Sequence, residues 1–344
     1  MSRRRFLKTV ALMGAGAMAQ GLGSRAALAQ PTAPASATKR PIRMLLGGYG
    51  PASTGFSLAL KRIGDRLKAR FGDEVDIKYV YNVLDVGYRE DDLNWMVESG
   101  VLTLSYQSSG YFTNEVPDLG VNDLPFLFAD VRAARAAIDG RFGQALAARL
   151  EARMNCRVLG YFEAGFSRLS NALRPVRTPA DMKGMRVRVR PSKVHARIFE
   201  LLGAEPKPMD LSEFIEAVKA GTVDAQENPF QNTVTYGVHK FHRFHTVTDQ
   251  HYQSRQVFVN RRSFDAWPRQ LQEEMRAAVK DAVNFQRELQ VKEDNDARAA
   301  IRNEGGAILD LTPQEREAFA RALRPIYDEA RSQYPRDLLG LVGL

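Results

Sequence analysis

The sequence predicts an α/β protein of two lobes, each rich in β-α-β units, with a long helical tail. Three observations carry this reading. Short apolar runs of strand length alternate with segments whose apolar residues recur at helical spacing. Glycine closes several of those helical segments, at Gly72, Gly100, Gly203 and Gly221. Beyond residue 41 roughly 300 residues remain, more than one hydrophobic core usually organises.

The first segment is read as targeting rather than fold. "SRRRFLK" (Ser2–Lys8) pairs arginines ahead of a charge-free, Ala- and Gly-rich run, and Arg25 precedes "ALA". The pattern is that of a twin-arginine export signal over residues 1–29, cleaved after about Ala29 and directing the mature chain to a bacterial periplasm. "QPTAPASATKRP" (Gln30–Pro41) is a flexible leader. The formal charge is +9, and residues 1–29 hold five basic groups and no acid, so the mature chain carries +4. That modest excess fits the steering of anions, and no nucleic-acid partner is expected. A single cysteine, Cys156, cannot form a disulfide within the chain and reads as a small buried hydrophobe.

Folded structure starts with a strand at Ile42–Gly48. A helix over Gly55–Gly72, a strand over Val75–Asn82, a helix over Arg89–Gly100 and a strand over Val101–Ser108 follow. This order argues for a largely parallel sheet. "DLPFLF" (Asp123–Phe128) is an apolar turn, and one helix is expected through Arg132–Arg153. Cys156–Gly165 reads as a buried strand, and Arg174–Gly184, with two prolines, as a loop. "GMRVRVRPSKV" (Gly184–Val194) alternates Arg186, Arg188 and Arg190 with Val187 and Val189, so a strand would carry three guanidiniums on one face. Helices are expected over Val194–Gly203 and over Asp210–Gly221, the latter opening on an Asp or Ser cap with Glu213 in its first turn. Val223–Phe230 reads as a short strand and Gln256–Pro268 as a strand turning into a helix. A long charged helix over about Arg269–Glu304 and a last helix over about Thr312–Arg331 complete the chain.

Several of these segments, in this order, resemble the solute-binding proteins of TRAP (tripartite ATP-independent periplasmic) transporters. The matching pieces are "GYREDDLNWMVESGVLTLSY", "DLPFLF", "DMKGMRVRV", "GAEPKPM" and "EFIEAVKAGTVDAQENP", and the likeness runs from about Ile42 to Arg331. It implies a two-lobed periplasmic binding protein with a hinge of crossing strands and a long connecting helix. The implied boundaries are 42–164 plus about 253–295 for the first lobe and 165–252 plus about 296–344 for the second. The implied function is capture of an organic acid in the cleft, without catalysis or cofactor, and delivery to the small and large membrane subunits of a permease. A monomer is expected, with a dimer as the alternative.

The resemblance also implies site residues. Arg188 falls at the arginine that meets the ligand carboxylate, a bond suited to a planar guanidinium. Arg186 and Arg190 are then rim or solvent charges. Asn228 matches a ligand-touching position, and its amide both donates and accepts. A second arginine of the family pattern is missing, with Ser167 in its place. Arg168 substitutes only if a bulge shifts the register, and Glu163 is an acceptor for a hydroxyl or amine. Tyr106, Gln107 and Ser108 end a strand at the cleft. Phe162, Met209, Tyr252 and Trp95 are candidate walls, with core packing as the alternative. Gln226 and Glu227 offer oxygen donors for a metal beside the ligand, a minor alternative to a metal-free site.

Two other classes stay open at this level. The loaded protein could dock on a periplasmic receptor domain rather than a permease. An exported enzyme is the third class, but the sequence holds no phosphate loop, cysteine cluster or Ser/His/Asp pattern with a recognisable context. His239, His242, His245 and His251 cluster in sequence but match no metal-binding spacing, and read as surface or hinge packing.

Overall fold

The computed structural model describes residues 40–344, so the export signal and the leader up to residue 39 lie outside the described residues. The strands are β1 (Ile42–Gly47), β2 (Val75–Val80), β3 (Leu104–Ser108), β4 (Cys156–Phe166), β5 (Arg168–Asn171), β6 (Arg186–Val189), β7 (Glu205–Pro208), β8 (Ala225–Asn228), β9 (Phe244–Val247), β10 (Tyr252–Asn260) and β11 (Ala307–Asp310). They sort into two sheets, in the orders β2-β1-β3-β10-β4 and β11-β9-β5-β8-β6-β7. In the first, β1 pairs in parallel with β2 and β3, as the β-α-β-α-β reading expects. Strand β10 returns late in the chain and runs antiparallel between β3 and β4.

The chain crosses between the sheets twice through strands. Between β4 and β5 the crossing residue is Ser167 alone, and between β9 and β10 it is the segment 248–251. Helix Arg269–Asn303 makes a third link. It packs on helix Gly55–Phe71 and β4 in one lobe, and on helix Phe230–Thr235 and β11 in the other. Its grip on β4 is specific: Gln286 Nε2 donates to Glu163 O (2.7 Å) and Gln286 Oε1 accepts from Glu163 N (2.8 Å). Gly165, at the bulge where β4 pairs with β10, has φ +85°, a conformation that costs other residues energy.

Each lobe is held by apolar burial. Leu46, Leu60, Ile63 and Leu104 are buried in the first, and Val187, Ile198 and Phe214 in the second. A fully buried side chain of this size contributes about 1.5–3 kcal/mol. The cap expected at Asp210 is present as a full capping box with Glu213. Cys156 is buried, and burial pushes its thiol up to about 12.

The structure departs from the sequence reading at several elements. The helix expected over Arg132–Arg153 is two helices, Val131–Asp139 and Arg141–Arg153. Gly140 between them is extended, and a Cβ there would lie 2.6 Å from Ala136 O. The last helix is likewise split, into Pro313–Ala322 and Pro325–Gln333, because Pro325 cannot continue a preceding turn. Four short strands, β5, β7, β9 and β11, were not anticipated. Each has four residues, too few to show a period. β7 carries two prolines, which its place at the sheet edge tolerates. Among the described residues no helix is long and apolar enough to cross a membrane.

Candidate functional site

Strand β6 separates its side chains as the alternation requires. Val187 and Val189 are buried in the core, while the three arginines meet three different fates. Arg186 pairs with Asp224 through two bonds, Nη2 to Oδ1 (2.6 Å) and Nε to Oδ2 (3.0 Å). Arg188 is 3% exposed. Its Nε donates to Met209 O (3.2 Å), its Nη2 donates to Tyr111 Oη (3.2 Å), and its guanidinium lies 5.0 Å from the centre of the Phe214 ring. Both hydrogen-bond partners are neutral, and it forms no ion pair among the described residues. Arg190 is 6% exposed, which corrects the expectation of a rim charge. The Glu227 and Asp123 carboxylates offset the burial of its charge, and ring nitrogens of His195 and His251 lie 2.8 and 3.4 Å from its Nη2.

A second arginine is buried in the same way. Arg255 of β10 is 2% exposed and likewise forms no ion pair among the described residues. Its Nε donates to Tyr49 Oη (2.5 Å), Nη1 to Ser254 O (3.2 Å) and Nη2 to Gln253 Oε1 (2.9 Å). Glu90, 5% exposed, shares the space: its side chain bonds Tyr111, and it feels the charges of both Arg188 and Arg255. Burial and the nearby Asp210 push the Glu90 carboxyl up to about 7 against those two arginines. Tyr236 enters from the second lobe, with its hydroxyl donating to Tyr49 O (3.4 Å). Glu90, Arg255 and the tyrosines Tyr49, Tyr106 and Tyr236 act electrostatically on one another. The candidate site is therefore a buried, polar cluster with two guanidiniums that form no ion pair among the described residues, one carboxyl and several hydroxyls.

Beside it lies a closed ionic cluster. His251 Nε2 is 3.4 Å from Asp123 Oδ1, and its Nδ1 is 3.1 Å from Glu227 Oε1. His195 is set between the same two carboxylates, at 3.4 and 3.5 Å. Burial alone would raise both carboxyls, but hydrogen bonds and charge from the two histidines hold Asp123 and Glu227 well below the usual range. Burial opposes charge on His251, yet its two carboxylate partners raise its pKa. Asp123, His195 and His251 would suit a metal by residue type, with ligand atoms within 4.8 Å of one another. Arg190 already places a cation 2.8 Å from His195 Nε2, so the donor set is taken up by a fixed positive charge.

The chain matches the family model of "Bacterial extracellular solute-binding protein, family 7" over residues 47–333. It belongs to that family. This solute-binding protein is 29% identical over 292 residues to the 2,3-diketo-L-gulonate-binding periplasmic protein of Escherichia coli (strain K12), covering 85% of its own chain and 87% of the relative. A TRAP periplasmic solute-binding protein of Bordetella bronchiseptica, with density assigned to pantoate, is 25% identical, with TM-score 0.81 over 87% of this chain and 98% of that one. The sugar acid binding protein of Advenella mimigardefordensis in complex with galactonate shares the fold, at TM-score 0.83 and 23% identity over 88% and 97% of the two chains. The architecture is thus that of the two-lobed TRAP receptors, and the protein is a solute receptor of the periplasm rather than an enzyme.

The structure distributes the sequence-derived candidates of this solute-binding protein among several places. Asn228 is buried in an amide chain, with its Nδ2 donating to Gln226 Oε1 (3.2 Å) and its Oδ1 accepting from Asn232 Nδ2 (3.1 Å). Gln226 in turn donates to Thr233 Oγ1 (3.1 Å), and Glu227 belongs to the ionic cluster. Tyr106 is fully buried against Tyr49, Phe56 and Phe162 with its Oη unpartnered, and Ser108 Oγ is unpartnered too. Gln107 Nε2 donates to Glu90 O (2.9 Å), and the Met209 carbonyl steers Arg188. Phe162 packs beneath Tyr106 and Phe56. Glu163 and Tyr252 bond each other (2.7 Å), and Arg135 closes on Glu163 with two bonds of 2.7 Å, tying the crossing strand to its lobe. Arg168 is bound to Asp294 of the long helix and to Asp249 (3.3 Å), and it lies over the Phe230 ring. Trp95 donates to Asp92 (2.6 Å). Sequence reasoning missed Arg255, Glu90, Tyr49, Tyr236 and the His195–His251 pair. One signal was available for Arg255: a lone arginine inside the strand run "YQSRQVFVN".

Proposed function

We propose that this solute-binding protein holds the carboxylate of its ligand on Arg188 and presents the loaded, closed form to the small and large subunits of a TRAP permease. One observation carries the role of Arg188. A guanidinium buried to 3% exposure with only neutral hydrogen-bond partners keeps a net charge out of water, a costly arrangement unless an anion joins it. Two of its five N–H groups are used by Met209 O and Tyr111 Oη, which leaves enough for a two-pronged carboxylate contact. Asn228, at the end of β8, supplies an amide to the same ligand. The relatives' names point the same way, toward gulonate-, galactonate- and pantoate-type acids. Export by the twin-arginine route, action as a monomer, and lobes divided near residues 164 and 252 complete the proposal.

Mass spectrometry of whatever small molecule purified protein releases on denaturation is the direct test, followed by a thermal-shift screen of mono- and dicarboxylates. A bound acid raises the melting temperature by mass action. Release of a neutral or cationic molecule, with no acid raising the melting temperature, would overturn the reading.

A further inference from the structure

We infer that Asp123, His251 and Glu227 form a proton-held tie between the two sheets, so that the protonation of His251 sets how freely the lobes move apart. The inference needs no particular solute and stands apart from the role of Arg188. It starts from the elements that supply the three groups. Asp123 ends the short helical turn Pro117–Asp123. Its neighbour Asn122 fixes that turn to the side of the first sheet, with Nδ2 donating to Ser109 Oγ (3.1 Å), just after β3, and to Ser254 Oγ (3.5 Å) in β10. Glu227 stands on β8 of the second sheet. His251 lies between them, in the segment 248–251 that crosses from one sheet to the other. All three side chains are buried.

The contacts call for one proton more than a neutral ring holds. His251 Nδ1 is 3.1 Å from Glu227 Oε1 and Nε2 is 3.4 Å from Asp123 Oδ1. A carboxylate only accepts, and only the doubly protonated ring offers an N–H to both. His195 lies between the same carboxylates, but its Nε2 is 2.8 Å from Arg190 Nη2, which only donates, so that nitrogen serves as an acceptor. His251 is therefore the ring that carries the second cation. Its other polar neighbours are Arg190 Nη2 (3.4 Å), which opposes the charge, and Ser167 Oγ (3.3 Å), able to accept from Nδ1. Farther out, Arg188 and Arg255 act on Arg190, and Tyr334 feels Asp123. With Asp123 and Glu227 set against Arg190 and an imidazolium, the buried cluster is neutral. Loss of the His251 proton leaves one negative charge out of water, and the ring then donates to one carboxylate only, so one side of the tie is released. The neutral bond from Ser192 Oγ to Asp123 Oδ2 (3.2 Å) is insensitive to that loss. Burial opposes charge on His251 and its carboxylate partners raise its pKa. The tie is thus complete below the ordinary histidine value of about 6.5 and loosens as pH climbs through the raised value.

Energy transfer between dyes on Asp73→Cys in the first lobe and Ala220→Cys in the second, both exposed positions, reads the separation of the lobes. Cys156 is buried and does not compete for the label. The protein used is first shown by mass spectrometry to carry no solute. Transfer is expected to shift between about pH 6 and pH 9.5 along a one-proton curve with its midpoint above about 6.5. The same midpoint is expected for the His251 ring, followed by NMR of isotope-labelled histidine and assigned with His251→Gln. Asp123→Asn keeps the shape of the side chain and removes its charge, and is expected to show the alkaline transfer value at every pH, as is His251→Gln. Ser192→Ala removes a neutral bond and is expected to keep the parent's midpoint. Circular dichroism at each pH establishes that every variant is folded, and the parent alone tests the inference if a variant is not. A His251 ring that is neutral at about pH 6, transfer that stays constant while that ring titrates, or an Asp123→Asn protein that follows the parent's curve would each overturn the inference. None of these results bears on Arg188, whose test is the binding of an acid.

Discussion

Removing the Arg188 guanidinium should separate binding from stability. In Arg188→Ala the ligand carboxylate loses up to two charge-assisted hydrogen bonds, each worth about 1.5–3 kcal/mol. Truncations of buried charged contacts fall at about 2–5 kcal/mol, and the two estimates overlap at about 3–5 kcal/mol. At 1.4 kcal/mol per decade this is a loss of roughly a hundredfold to a few thousandfold in Kd. The unliganded protein should respond differently. The substitution strands Met209 O and Tyr111 Oη, at about 1–3 kcal/mol for a fully buried group. It also relieves a buried charge whose hydrogen bonds are all to neutral groups, an opposing term of similar size. The melting temperature without ligand should therefore move by only a few degrees in either direction. Calorimetry with the tightest acid of the panel, beside differential scanning fluorimetry of the unliganded variant, reads both quantities. An affinity within threefold of the parent would refute the assignment of Arg188, whatever happens to stability.

Other perturbations follow from the same geometry. The raised pKa of His251 contributes stability that is full below the ordinary histidine value of about 6.5 and is lost as pH climbs through the raised value. The lowered Asp123 and Glu227 contribute stability that is present above about pH 4 and is lost on further acidification. The melting temperature should peak in mildly acidic buffer and fall toward pH 9, and His251→Gln should flatten the alkaline limb; an unaltered limb would show that His251 is not its source. Arg168→Gln removes the cation that Asp294 and Asp249 share and should cost about 1–3 kcal/mol, less than a fully buried pair because Asp249 is partly exposed and Asp294 keeps Arg298 at 3.2 Å. Chemical denaturation measures that loss, and calorimetry should find ligand affinity changed by less than threefold. Gly165→Ala forces a Cβ onto φ +85° and within 2.7 Å of Gln290 Nε2, and should destabilise by about 1–2 kcal/mol or more, read as a lower denaturation midpoint.

How legible the molecule was in its sequence depended on the scale of the signal. The helix Arg269–Asn303 and the parallel β1-β2-β3 core announce themselves through long periods and glycine stops, and local pattern suffices for them. β5 and β9 do not, because four residues make no period and their strand character comes from partners 50 or more residues away. The alternation separated Arg186 and Arg188 from Val187 and Val189, but β6 ends at Val189, and the pattern could not say that Arg190 would be buried beside His195, His251 and the Glu227 and Asp123 carboxylates. Those two histidines lie 56 positions apart in sequence and meet at 4.7 Å between ring centres. Position 167 shows the same limit. The absence of the expected arginine was visible in the sequence, while the buried Arg255 stands on an antiparallel neighbour that only the fold brings alongside.

Gln253 touches both positions: its oxygen accepts from Arg255 and its nitrogen donates to Ser167, the residue at which the chain passes from β4 to β5. The buried Arg255 and the β4–β5 crossing therefore share one amide group. Whatever draws Arg255 toward a bound solute strains or relaxes the turning point of the lobes, and by thermodynamic reciprocity a change in lobe angle must alter how well Arg255 is aimed. Substitutions at positions 167, 253 and 255 should consequently act as one unit, with double-mutant energies far from the sum of the single ones.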